Sequence, residues 1–183
     1  MFVAVSVPRD QLERVDAEIA PFRDKAIKGR WAPIENQHVT LKFLGGTPPD
    51  LLPEVEKVCS MVAAGRHAET VSLGSIGAFP NRNRVRVLWV GLDDPYGLLP
   101  HLAGDLDASL EPLGFTTEAR SFTPHLTLAR FKLPVPLKAG LPELDVADLP
   151  EFEVSSFELY RSHMSPKGAR YEVLKSFPLK PAG

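Results

Sequence analysis

Three stretches of the chain repeat apolar residues at helical spacing, and the runs between them alternate or thicken in the manner of strands. Phe2 to Val7 is an apolar run that predicts a first strand. Pro8 then starts a helix to about Phe22, with Leu12, Val15, Ile19 and Phe22 on one face. Gln37 to Leu44 predicts a strand that Gly45-Gly46 ends. Thr47-Pro48-Pro49-Asp50 opens a second helix, whose Leu51, Val55, Val58 and Val62 form an apolar stripe. Strands at about Thr70 to Phe79 and Arg84 to Leu92 are joined through Asn81-Arg82-Asn83, a composition suited to a hairpin turn. A third helix, about Gly97 to Leu113, carries Leu98, Leu99, Leu102, Leu106, Leu110 and Leu113 before Gly114 stops it. Phe122 to Phe131 predicts a further strand. Leu133 to Pro150, with Pro134, Pro136, Pro142 and Pro150, predicts an extended surface connection. Two strands, Phe152 to Tyr160 and Arg170 to Leu174, close the chain.

The order of these elements contains an echo: strand, helix, strand near the start, and again strand, helix, strand from Arg84 to Phe131. The helices are too few and the hairpins too many for a doubly wound parallel sheet. The pattern predicts an α+β protein of two pseudo-twofold-related lobes. Each is a mostly antiparallel sheet with outer helices, and a cleft lies between them. Residues 1–183 are expected to form a single domain of those two lobes.

Composition narrows the function classes without selecting one. With 44% hydrophobic and 24% charged residues, the chain has the balance of an ordinary globular protein. A formal net charge of −2 argues against non-specific duplex binding, which needs a strongly basic surface. The one cysteine, Cys59, allows no intrachain disulfide and no cysteine cluster for a metal, and it reads as a small core residue on the second helix. That usage predicts a reducing, cytoplasmic location. No apolar run reaches the ~20 residues of a membrane span, so no membrane partner is expected. Met1 to Val7 lacks a basic leader and predicts a strand rather than a signal peptide.

The chemistry lies in a phrase that occurs twice: His38-Val39-Thr40-Leu41 and His125-Leu126-Thr127-Leu128. In a strand, His and Thr two residues apart share one face, while the residues between them face the core. A pseudo-twofold would set the two His-Thr faces opposite one another. Two imidazoles, each with an unperturbed pKa near 6.5, suit paired general acid–base work, one accepting a proton and the other donating one. The Thr hydroxyls suit an oxyanion held between them, and a tetrahedral phosphate fits such a four-point grip. Two imidazoles could instead ligate zinc, but a third ligand is needed and neither His-Glu-x-x-His nor Cys-x-x-Cys occurs. Asp93-Asp94 is more simply a turn. No Gly-x-Ser-x-Gly elbow supports a serine nucleophile. No cofactor and no metal are expected. An isolated His in such a run would be an ordinary core histidine; the duplication is what argues otherwise.

These phrases resemble the 2H phosphoesterase superfamily with its paired His-x-Thr-x motifs. The string Trp31-Ala-Pro-Ile-Glu-Asn-Gln-His38-Val-Thr-Leu-Lys-Phe-Leu-Gly45 is similar to its LigT-like branch, the RNA 2′,3′-cyclic phosphodiesterases also called 2′-5′ RNA ligases. Phe122-Thr-Pro-His125-Leu-Thr-Leu-Ala-Arg130, Phe157-Glu-Leu-Tyr-Arg-Ser162 and the opening Phe2-Val-Ala-Val resemble it as well. One departure is Arg161-Ser162-His163-Met164, where the branch more usually carries an acidic residue and then Ser-x-Leu. The resemblance implies metal-independent hydrolysis of an RNA or nucleotide 2′,3′-cyclic phosphate to a 2′-phosphomonoester, and reversible 2′-5′ ligation. It implies that His38 and His125 are the catalytic pair and that Thr40 and Thr127 hold the phosphate. Of the two orders, which the sequence leaves open, His125 as the base on water and His38 as the acid on the 3′ oxygen is the one favoured. Expected partners are RNA ends bearing the cyclic phosphate, tRNA fragments among them, or cyclic nucleotides, acted on by a monomer. Rival readings are action on a small cyclic phosphate such as an ADP-ribose derivative, or a non-catalytic module that binds RNA ends.

Further substrate candidates are Lys42, Phe43 and Arg130. Lys42, two residues past Thr40, is expected to share its face and offset phosphate charge. Strict alternation sends Phe43 and Arg130, each five residues past its His, away from the cleft. A bulge would redirect them, to stack on a nucleobase from either side; Phe43 suits the core better, and Arg130 suits a substrate role. Arg82, Arg84 and Arg86 alternate on one predicted face and suit either a phosphate track or plain solvation. Trp31 suits the core better than a base platform, and His67, His101 and His163 lack the Thr partner and are expected at the surface or helix ends.

Overall fold

The computed structural model describes residues 1–26, 29–137, 149–166 and 168–182. The strands are β1 (Phe2–Val5), β2 (Arg30–Trp31), β3 (Val39–Phe43), β4 (Glu69–Phe79), β5 (Val85–Asp93), β6 (His125–Val135), β7 (Phe152–Val154), β8 (Ser156–Ser165) and β9 (Gly168–Pro178). The helices are α1 (Arg9–Ala26), α2 (Leu52–Ala64) and α3 (Leu98–Leu110). The sheet is antiparallel and runs β7-β4-β5-β6-β3-β1-β8-β9, with β2 added beside β6.

The expected α+β architecture is present, with the two lobes as halves of one curled sheet. One half is β6-β5-β4-β7 and the other is β3-β1-β8-β9, so in each half the phrase strand lies at the β3–β6 seam with the strand that precedes its helix next to it. The predicted strand Phe152 to Tyr160 is two strands. Its first part pairs with β4 at one edge and its second with β1 near the other, the break falling at Ser155. The last strand is longer than expected because β8 and β9 form a continuous hairpin. The two-residue β2 carries too short a pattern to be foreseen. Of the predicted connection Leu133 to Pro150, residues 133–135 extend β6, and residues 138–148, Pro142 among them, lie outside the described residues.

Each helix buries the stripe its sequence shows. Leu99, Leu102, Leu106 and Leu110 of α3 are fully buried, each worth roughly 1.5–3 kcal/mol of transfer free energy. The helix starts where Asp94 accepts hydrogen bonds from the backbone N–H groups of Leu98 (3.0 Å) and Leu99 (2.7 Å), so Asp94 lies in the turn expected and also satisfies the helix start. α3 packs across the seam onto β3 and against α2, and α2 lies on β9 and β8. Cys59 is buried on α2 and burial pushes its thiol up to about 12, which suits the core role.

Candidate active site

The two phrases meet at the seam through their middle residues. Val39 and Leu126 are Cα partners in the antiparallel β3–β6 ladder, and both are completely buried. Extending that register by one residue each way sets His38 opposite Thr127 and Thr40 opposite His125, all on the face that Val39 and Leu126 do not use. In a regular ladder the two imidazole-bearing Cβ atoms are diagonal neighbours, roughly 7–8 Å apart. The pseudo-twofold of the sheet therefore runs through the seam and makes one site from two distant segments.

Past each Thr the alternation breaks at the same place. Val3 and Ala4 of β1 pair with Lys42 and Thr40 of β3, so Leu41 is an extra residue. Leu88 and Trp89 of β5 pair with Ala129 and Thr127 of β6, so Leu128 is an extra residue. The Leu that ends each phrase is thus a β-bulge, and it reverses the faces of everything beyond it. Phe43 is turned out of the core (58% exposed) and, like Arg130, reaches the cleft. Lys42 goes the other way, which corrects the expectation that it shares a face with Thr40. It is 2% exposed, and its ammonium pairs with Asp107 of α3 and donates to the Thr116 carbonyl oxygen at 2.5 Å. Its equivalent after the second bulge is the fully buried Ala129.

A cleft of about 690 Å³ opens over the seam, lined by His38, Thr40, Phe43, Thr127 and Arg130 together with Phe2, Trp31, Asn36 and Tyr171. Each imidazole is held from behind in the same way. The His125 Nδ1 lies 2.7 Å from the Thr123 carbonyl oxygen, two residues back. A carbonyl only accepts, so Nδ1 carries the proton and Nε2 is the free ring nitrogen of the neutral form. The backbone of Asn36, again two residues back, hydrogen-bonds the His38 ring.

Aromatic rings fix both imidazoles from the sides. His38 stacks on Phe2 at 4.6 Å between centroids and meets the Tyr171 edge at 5.2 Å; Phe2 in turn stacks on Tyr160 at 5.0 Å. His125 meets Phe79 at 5.2 Å and Trp89 at 6.0 Å. The Trp89 indole can lie there because Gly77 is beneath it, where a Cβ would stand 2.1 Å from the ring.

Enclosure has an electrostatic consequence. Burial pushes His38 down to about 4; the Asn36 hydrogen bond opposes this, and the charges of Arg130 and His125 add to it. Burial lowers His125 too, again against a backbone hydrogen bond and with Arg130 adding. Lowered in this way, both rings are neutral at pH 7, beside the Arg130 guanidinium, which has no carboxylate partner among the described residues. Such a site favours an anion, whose charge would return a proton to the pair. Among the described residues, no three His, Cys, Asp or Glu side chains gather as a metal-binding group.

The family model described as "2′-5′ RNA ligase superfamily" matches residues 8–165. This chain belongs to that superfamily. It is 33% identical to a Methanocaldococcus jannaschii protein named RNA 2′,3′-cyclic phosphodiesterase, over 97% of this chain and 99% of that one. It is 34% identical to a Thermus thermophilus protein of the same name, covering 98% and 90%. The crystal structure of E. coli LigT complexed with 3′-AMP superposes with a TM-score of 0.78 at 26% identity, over 97% of this chain and 96% of that one.

Within this 2′-5′ RNA ligase superfamily member, the site also contains residues that sequence reasoning did not single out. Phe2, Tyr160 and Tyr171 beside His38, and Phe79 and Trp89 beside His125, come from strands whose apolar content reads simply as core. Trp31 is half-buried, packing edge-on against Phe22 at 6.4 Å while its other side lines the cleft. Arg82, Arg84 and Arg86 sit at the β4–β5 tip outside the cleft lining, and Arg86 donates to the Lys132 carbonyl oxygen at 3.1 Å. His67, His101 and His163 do not line it; His163, between the lining residues Ser162 and Met164, is paired with Glu172 at 2.7 Å.

Proposed function

We propose that this protein hydrolyses the 2′,3′-cyclic phosphate at an RNA end to a 2′-phosphomonoester without a metal, and that the same site runs 2′-5′ ligation in reverse. The observation that carries this reading is the Val39–Leu126 pairing, whose register brings two His and two Thr to one face of the seam, where His38, Thr40 and Thr127 line an anion-favouring cleft. Thr40 and Thr127 donate hydroxyl hydrogen bonds to the non-bridging oxygens of the phosphate. His125 Nε2 takes the proton of a water that attacks phosphorus. The phosphorus–O3′ bond breaks, and His38, which gains its proton as the anion binds, delivers it to the departing 3′ oxygen. Attack and departure on opposite sides of phosphorus need one catalytic group on each side, and the pseudo-twofold supplies them. Each proton transfer contributes about 10²- to 10⁴-fold.

Phe43 and Arg130, equivalent positions of the two phrases, are the walls between which the terminal base stacks. The chain acts as a monomer of one two-lobed domain in the cytoplasm, on RNA ends of the kind found on cleaved tRNA. The reading is tested with an RNA oligomer ending in a 2′,3′-cyclic phosphate, incubated in EDTA and followed by ³¹P NMR. Appearance of a 2′-monoester resonance is expected. A 3′-monoester, or no turnover until a divalent metal is restored, overturns it.

A further inference from the structure

The cleft has a second cationic feature that the reaction at phosphorus does not use. Arg30 of β2 is the Cα partner of Arg130 in the β2–β6 ladder, so two arginines stand directly opposite each other on one face. Like charges opposed across a ladder destabilise a sheet. Both are exposed, both line the cleft, and among the described residues neither guanidinium has a carboxylate partner or a hydrogen bond.

The arrangement is held in place rather than left loose. Gly29 lets β2 lie tight against β6, since a Cβ there would stand 2.4 Å from the Phe131 ring. The Ala32 N–H donates to the Leu128 carbonyl oxygen at 2.8 Å, tying the segment after Arg30 to the bulge that redirects Arg130. Asn36 Nδ2 donates to the Ala169 carbonyl oxygen at 2.8 Å and joins this wall to the β8–β9 tip. The Arg30 guanidinium reaches that tip, passing beside Gly168 where a Cβ would come within 3.4 Å of its Nη2. Arg30 therefore lies between Arg130 and the β8–β9 tip in the wall of the cleft.

We propose that Arg30 is a specificity residue that binds a second phosphate, the one on the 5′ side of the nucleoside whose cyclic phosphate lies between His38 and His125. This rests on the function proposed above and adds what that reading leaves open, namely how the site prefers a chain end to a free cyclic nucleotide. With Arg130 against the base, the terminal 5′-phosphodiester leaves the cleft past Arg30, whose planar fork suits two phosphate oxygens. A pyrophosphate attached at the same position offers the same chemistry, so the two sources are separated experimentally.

The test compares kcat/KM for adenosine 2′,3′-cyclic phosphate, the same compound bearing a 5′-phosphate, the dinucleotide ApA ending in a cyclic phosphate, and ADP-ribose 1″,2″-cyclic phosphate. Wild type is expected to favour the two 5′-phosphorylated adenosine substrates over the unphosphorylated one by about 10- to 100-fold, the worth of a charge-assisted contact. Arg30→Gln collapses that ratio toward one, and Arg30→Lys restores part of it. Preference confined to the ADP-ribose compound overturns the RNA assignment. Equal wild-type kcat/KM for all, or a ratio unchanged in Arg30→Gln, overturns the phosphate site. Failure of wild type to hydrolyse any of the four rejects the underlying function instead.

Discussion

Replacing Asp107 with Asn isolates what Lys42 does. The Lys42 side chain is 1% exposed and that of Asp107 is 22% exposed, so the substitution leaves an ammonium in the interior facing two neutral acceptors, the Asn amide oxygen and the Thr116 carbonyl oxygen, in place of its carboxylate. Breaking a buried ion pair by removing one member costs about 3–5 kcal/mol. For a chain of 183 residues, each kcal/mol moves the melting temperature by about 2–4 °C, so Asp107→Asn is expected to melt about 6–20 °C lower. Lys42→Met should cost less, because the Asp107 carboxylate left behind can hydrate, and Lys42→Met with Asp107→Leu should recover part of the loss. Melting is followed by circular dichroism, and kcat/KM is measured at 20 °C where the variants remain folded. The bulge at Leu41 turns Lys42 from the cleft, so activity per folded molecule should stay within about threefold in this comparison of a structural with a phosphate-binding cation. A Lys42→Met protein that melts like wild type yet loses two or more orders of magnitude in kcat/KM would show that Lys42 grips phosphate and that the bulge argument is wrong.

Four other predictions follow from the site. Burial holds His38 down to about 4, against 6.5 in an unfolded chain, so the unfolded state binds the extra proton between those values. Stability therefore falls as pH is lowered from 6.5 toward 4, by up to about 3 kcal/mol from this residue, and His38→Gln should remove that part of the slope in urea titrations. Added inorganic phosphate should raise the His38 titration midpoint seen by NMR; an unchanged midpoint would argue that no anion sits at the seam. Phe43→Ala should raise KM for a cyclic nucleotide about 5- to 100-fold with little change in kcat, as expected for a lost stacking wall; an unchanged KM would place Phe43 outside the substrate path. Gly77→Ala puts a Cβ into the Trp89 indole and should displace the wall behind His125, lowering kcat by at least about tenfold, whereas wild-type kinetics would mean the ring is not needed to hold the imidazole.

The parts of this molecule set by local periodicity were legible in the chain. The leucines of α3 and the repeated phrases state their own structure, and parity alone puts His38, Thr40, His125 and Thr127 on shared faces. Two kinds of information were not local. The bulges at Leu41 and Leu128 depend on which residues the neighbouring strands offer, so they reversed Lys42 and Phe43 without any signal in the alternation itself. The aromatic settings of His38 and His125 are likewise products of strand order, since Phe2 and Tyr160 are brought together only when β1 lies between β3 and β8. β2, with two residues, is a strand only because β6 lies beside it.

The central claim is that two imidazoles on opposite sides of one phosphate carry the reaction. The most direct measurement is single-turnover hydrolysis of an RNA 2′,3′-cyclic phosphate in EDTA by wild type, His38→Ala, His125→Ala and the double variant. Each single change is expected to slow the chemical step about 10²- to 10⁴-fold, with the double variant well short of the product of the two losses because the residues act as a unit. Full turnover by either single variant would contradict it.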